Sequence, residues 1–253
     1  MKKEFPILEF DNEKTAIINP WDWVKPIDAP EHCVIIFFKE VIDKLVKEGK
    51  AKKIAEEKTE LGTHPIYLVK YQGREFITYL SGVTAPFAAA LLEFVIQLGC
   101  KKFIVCGSAG SLDKSCTAHI IVPKSAIRDE GVSYHYIPPS REVEADPEMT
   151  SALIRTLDTY NIQYLISKTW TTSAIYRETP QKIKLRKEEG CLTVEMEAAA
   201  LFAVAKFRGV KIAQLLYISD DISGEEWDKM NIGKNIPIRE KIFWLAMEAC
   251  LKT

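Results

Sequence analysis

Short apolar runs alternate with mixed, charge-bearing stretches along the chain, and the two patterns predict different elements. CVIIFF (33–38) is continuously apolar and predicts a buried strand. KEVIDKLVKEGKAKKIAEE (39–57) predicts a charged surface helix, broken at Gly49. PIYLVKYQGREFITYLSG (65–82) predicts a hairpin that turns at Gln72-Gly73. APFAAALLEFVIQLG (85–99) predicts a helix stopped by Gly99. KKFIVCGSAGS (101–111) is a strand running into small residues, and AHIIVPKSAI (118–127) is strand-like again. DPEMTSALIRTLDTYN (146–161) predicts a helix with an acidic start, and QYLISKTWTTSAIY (163–176) a strand and then a loop. RETPQKIKLRKEEG (177–190) predicts a charged helix, and VEMEAAALFAVA opens another that ends near Phe207. KIAQLLYISDD (211–221) is a strand ending in polar residues, and 236–252 predicts a closing helix.

Alternating strands and helices argue for an α/β fold: a single domain with a mixed central β-sheet flanked by helices. No repeat or linker divides residues 1–253. Residues 1–32 form an irregular N-terminal arm, with four prolines and the aromatic pair of PWDW (20–23). Trp21 and Trp23 are expected to pack the arm rather than to cover a pocket.

Composition narrows the classes. About half of the chain is apolar, enough for a sizeable core. With 34 basic and 35 acidic residues the net charge is −1, so neither nucleic acid nor an acidic membrane surface is implied. No apolar run approaches the roughly 18 residues of a membrane span, and the first residues lack a signal-peptide core. The six cysteines form no CxxC pair or zinc spacing, which points to no metal and to a reduced, cytoplasmic protein.

In open α/β sheets ligands bind beyond the carboxyl ends of strands. Three such ends stand out. In VCGSAGS (105–111) small residues and Ser108 suit a nest for an anion or a ribose oxygen; a tight turn would use the same residues. YISDD (217–221) brings Ser219 and Asp220 to a strand mouth, where a carboxylate suits general-acid work or a turn cap. TVEME (193–197) places Glu195 and Glu197 two residues apart before a helix, where the dipole favours carboxylates. Capping explains one glutamate well and the pair less well. RDEGVSYHY (128–136) offers Arg128 and His135 on one loop, either toward a ligand or simply at the surface.

These stretches, in this order, resemble the nucleoside phosphorylase superfamily, which contains purine nucleoside phosphorylases, uridine phosphorylases and methylthioadenosine/S-adenosylhomocysteine nucleosidases. The similarity runs from about residue 65 to the end and is most specific in VEMEAAALFAVA (194–205). It implies a phosphorylase/hydrolase-like fold without organic cofactor, acting on a small nucleoside as a homo-oligomer. It implies that Glu197 binds the ribose hydroxyls, with Met196 against the sugar and Glu195 in the same turn. Asp220 would assist departure of a purine, oriented by Ser219, and Ile175 would touch the base. Gly82, Thr84 and Ser108 would face phosphate or water. The three arginines that phosphorolytic members use have no counterpart: FFKEVIDKL (37–45), Val105 and Gly62–Thr63 stand in those places. Arg128 and Arg177 are candidates to replace the charge. The expectation is cleavage of an N-glycosidic bond with phosphate as acceptor, purine favoured. Water as acceptor is the alternative, with Glu195 or Glu197 as its base. A nucleoside-binding protein without catalysis is the reading from another class.

Overall fold

The first apolar run becomes β1 (His32–Ile36), buried at every position. In the computed structural model, which describes residues 2–230 and 236–253, β1 lies inside a ten-stranded mixed sheet. The other strands are β2 (Ala51–Thr59), β3 (Gly62–Tyr71), β4 (Arg74–Leu80), β5 (Lys102–Ser111), β6 (Ile120–Asp129), β7 (Glu142–Glu144), β8 (Tyr164–Thr172), β9 (Cys191–Glu195) and β10 (Lys211–Asp221). Seven α-helices accompany them among the described residues, besides short 3-10 turns: α1 (Pro20–Trp23), α2 (Lys39–Lys47), α3 (Ala85–Leu98), α4 (Pro147–Thr159), α5 (Pro180–Glu188), α6 (Ala198–Arg208) and α7 (Ile236–Cys250).

Strand order is β10-β6-β8-β9-β5-β1-β4-β3-β2, with β7 attached to β6. A further pairing joins β10 to β5, so β5, β9, β8, β6 and β10 close into a ring. β1, β4, β5 and β10 run parallel to one another along their pairings, while β9 and β6 meet β5 and β10 antiparallel. Side chains alternate across the strands. Cys33 and Ile35 join α3 and α6 in one core, and Val34 and Ile36 join α2, α4 and α7 in the other. The alanines of α6 serve close approach: Ala198 to Ala205 are all buried, and α6 packs against α3.

One predicted element is corrected. Residues 39–57 are not one helix. α2 stops at Lys47, and Gly49 takes a left-handed φ of 68° while Lys50 N–H reaches back to the Leu45 carbonyl. AKKIAEEKT then pairs antiparallel with β3 as an edge strand. Its lysines and glutamates favour a helix in isolation, but pairing to the sheet overrides that preference, and charge on an edge strand discourages further pairing. The hairpin of 65–82 is present with its turn at Gln72-Gly73.

The arm is not wholly irregular, since α1 interrupts it behind an Asn19 capping box. It runs along the α3 and α6 side, where Lys14 Nζ donates to the Phe207 carbonyl (2.6 Å) and Ile27 N–H to that of Leu98 (3.1 Å). Trp21 and Trp23 are not packed under it; Trp23 is 80% exposed. No helix among the described residues is long and apolar enough to cross a membrane.

Candidate active site

β5, β9 and β10 converge on a cavity of about 500 Å³. Ser108 lines it from β5, Glu195, Met196 and Glu197 from the β9–α6 junction, and Ser219 and Asp220 from the end of β10. Ile175 lines it from the single helical turn after β8. Gly82 and Thr84 are not part of the lining; Val83, between them, is. A Cβ at Gly82 would run into the ring of Phe87, so that glycine serves packing.

The two glutamates divide the work. β9 ends at Glu195, and the chain bends through Met196 before α6 begins. Glu195 Oε2 accepts the N–H groups of Glu197 (2.7 Å) and Ala198 (2.6 Å), and its Oε1 accepts the Thr171 hydroxyl (2.6 Å). Thr171 Oγ1 in turn accepts the N–H of Ala199 (2.9 Å). Helix starts leave N–H groups without intrahelical partners, and Glu195 with Thr171 supplies them. Glu197 instead reaches across to the Thr84 N–H, which donates to its Oε1 over 2.6 Å. Burial raises the pKa of both carboxyls. Glu197 is raised further by the charge of Glu195, whereas three donors pull Glu195 back toward its anion.

Asp220 owes its place to an irregularity. The β10 register against β5 shifts between Ile218 and Asp220, so one residue bulges out and re-aims the strand end beyond it. The Ser219 hydroxyl donates to Asp220 Oδ1 (2.7 Å), and the Trp227 indole N–H donates to Oδ2 (2.9 Å). The GSAG stretch makes room for this. It is neither a nest nor a turn, because β5 continues through Ser111. A Cβ at Gly110 would stand 3.1 Å from Val194 Cγ1 and 3.5 Å from Asp220 Oδ2.

Among the lining residues not anticipated from the sequence are Glu178, Gln214 and Trp227. Glu178 lies just past the Ile175 turn, and burial and the charge of Asp220 push its carboxyl up to about 7. Nothing in RETPQ distinguishes it from a surface acid. Gln214 did leave a signal, as the one polar residue inside IAQLLYI. Buried strand positions are rarely polar without a task.

Neither Arg128 nor Arg177 lines the cavity. Arg128 is buried in its own loop, donating to Ser133 (2.9 Å), Ser140 (2.6 Å) and the Pro138 carbonyl (2.7 Å). Four carboxylates and no lysine or arginine line the cavity among the described residues. No group of three His, Cys, Asp or Glu side chains among them is placed to hold a metal.

Known proteins share both the sequence pattern and the fold. The model of the phosphorylase superfamily matches residues 31–251. A guanosine phosphorylase of Halorubrum lacusprofundi is 22% identical over 63% of this chain and 66% of its own length. A uridine phosphorylase of Thermococcus kodakarensis is 26% identical over 64% of this chain and 65% of its own. The matches thus span about two thirds of those relatives. The crystal structure of an AMP nucleosidase from Bacteroides thetaiotaomicron superposes with a TM-score of 0.71 at 18% identity, covering 89% of each chain. With most of its length matched by the family model and its fold shared, this chain belongs to the phosphorylase superfamily.

Proposed function

We propose that this protein cleaves the N-glycosidic bond of a nucleoside, with a purine favoured and phosphate as the acceptor. The observation that carries the reading is the meeting of Glu197 and Asp220 in one cavity, from sequence stretches over 20 residues apart. Cleavage builds positive charge on the ribose ring, and a buried carboxylate gripping the sugar hydroxyls positions the ribose and favours that charge. Met196 lies against the sugar, and Glu195 holds the turn that presents Glu197. A purine leaves poorly as an anion, so Asp220 assists at the base, with Ser219 orienting it and Ile175 as an apolar contact. Ser108 faces the acceptor, with the Gly82–Thr84 segment beside it. The guanosine phosphorylase among the relatives supports the purine, and both phosphorylases support phosphate.

Hydrolysis is a second reading, favoured by one observation: the cavity is lined by four carboxylates and no lysine or arginine among the described residues. A phosphate dianion buried without cations is costly. The test is base release from inosine, guanosine, adenosine, methylthioadenosine and uridine, with and without phosphate. Ribose 1-phosphate supports the first reading and free ribose the second. Nucleoside binding without base release would support the non-catalytic reading and sink both.

The protein is further read as a cytoplasmic homo-oligomer that needs no organic cofactor. Six buried free cysteines fit a reducing compartment. Val83 (63% exposed) and Tyr176 (95% exposed) border the cavity, and a neighbouring subunit would cover them.

A further inference from the structure

Trp227 lines the cavity from the loop that follows β10, and that loop is tied to itself. Asp221 and Asp228 exchange backbone hydrogen bonds in both directions, each 2.9 Å. Their carboxylates brace the chain further: Asp221 Oδ1 accepts the Ser223 N–H and Asp228 Oδ1 the Met230 N–H, each over 2.8 Å. Aspartates bonded to the backbone two residues ahead fix turns. Trp227 comes immediately before the closing pair, so the loop holds it at the cavity. Indole has a single donor and no acceptor. Here that donor is spent on Asp220 Oδ2 (2.9 Å), while the side chain stays 55% exposed. What Trp227 still offers the cavity is therefore apolar ring.

Both halves of the side chain have a task at this end of the site. The terminal torsion of an aspartate is broad, so one hydrogen bond leaves the carboxyl free to swing. Ser219 holds Oδ1 from within the strand and Trp227 holds Oδ2 from the loop, which fixes the plane as well as the position. The ring matters because Ile175 gives the base an apolar contact without an aromatic face. The other aromatic side chains lining the cavity, among the described residues, are Phe37 and Tyr176. Phe37 packs into both cores and lies near Gly107, toward the Ser108 end, and Tyr176 is almost wholly exposed. The indole is thus the ring beside Asp220. Flat bases stack on such rings. We propose that Trp227 is a positioning and base-stacking residue: its N–H fixes the Asp220 carboxyl toward the purine, and its ring packs on the purine face. This rests on the glycosidic-cleavage reading and deepens its base end; it holds for either acceptor.

The experiment compares the full-length wild type with Trp227→Phe, which keeps a ring and removes the N–H, and with Trp227→Leu, which removes both. Each is given inosine or guanosine and, separately, 4-nitrophenyl β-riboside, whose leaving group needs no help from Asp220, all in millimolar inorganic phosphate. Trp227→Phe is expected to lose about 10-fold in kcat on the purine nucleosides, as when one hydrogen bond to a charged group is removed, with KM changed less than about three-fold. Trp227→Leu is expected to show the same loss in kcat and a KM raised about 10-fold, because the stacked ring is gone as well. On the nitrophenyl riboside kcat is expected to stay within about two-fold for both variants. The ratio of the two rates in one sample does not depend on how much of a variant is folded, so it decides even where a variant melts early. A Trp227→Phe protein whose ratio equals that of the wild type overturns the positioning role, and a Trp227→Leu protein with unchanged KM on the purine nucleosides overturns the stacking role. In both cases turnover by the wild type leaves glycosidic cleavage standing. A wild type that releases base from no nucleoside removes the cleavage reading and this assignment with it.

Discussion

The backbone N–H of Thr84 donates to Glu197 Oε1 over 2.6 Å, joining the start of α3 to the start of α6 across 113 residues of chain. Thr84 makes this contact at φ 84° and ψ 145°, a conformation that a β-branched residue rarely adopts. Thr84→Gly keeps the N–H and removes the strain. It is expected to raise stability by about 1 kcal/mol in chemical unfolding while leaving turnover within a few-fold.

Glu197 is held as a buried carboxyl with a raised pKa. Glu197→Gln is expected to lower kcat/KM by about two to three orders of magnitude, since the ionisable carboxyl that faces the ribose becomes an amide that cannot take up charge. The same change is expected to stabilise the fold at alkaline pH, where the wild type must keep a charge buried. Turnover and melting assays at matched pH read both effects; a variant that loses stability without losing turnover contradicts the assigned role.

Glu195→Ala strips three N–H and O–H donors of their acceptor at the α6 start. A loss of about 1–3 kcal/mol in denaturant unfolding is expected. Catalysis is expected to fall as well, because Glu197 rides on the same turn.

Asp220→Asn tests acid assistance through the leaving group. Base release from a purine nucleoside is expected to fall by about two to four orders of magnitude. Release of 4-nitrophenolate from its β-riboside is expected to change far less, because that anion leaves unaided. Equal losses on the two substrates would assign Asp220 to folding or binding instead.

Glu178 gives a pH signature. Its folded carboxyl is raised from an ordinary 4.5 to about 7. Stability from this group is therefore complete below about pH 4.5 and lost as pH rises through about 7. Glu178→Gln is expected to melt higher than the wild type at about pH 8 and level with it at about pH 4, read by calorimetry at the two values.

Periodicity and turn chemistry made most of the fold legible. The hairpin at Gln72-Gly73, the α3 stop at Gly99 and the apolar β1 all arise from local pattern. The 51–59 strand did not, because its residues prefer a helix and only pairing with β3 makes them a strand. At the site, VEMEAAALF and YISDD pointed to the residues that line the cavity, but not to how two glutamates share their duties. That depended on Thr84 and Thr171, both distant in sequence. Glu178 and Trp227 were hidden for the same reason: only the bulge in β10 and the turn after β8 bring them to Asp220.

The ring of β5, β9, β8, β6 and β10 has a consequence for how this protein can change over generations. A strand at an open edge absorbs an inserted or deleted residue by sliding, whereas a strand in a closed circuit has a neighbour on each side that must shift with it. Length variation is therefore expected in the arm, in the β2–β3 wing and in the connections, and hardly within these five strands. Ser108, Glu195, Gln214 and Asp220 all stand on them. Divergence of chemistry on this frame has to proceed by exchanging one side chain for another at fixed positions, with the spacing between those positions inherited intact.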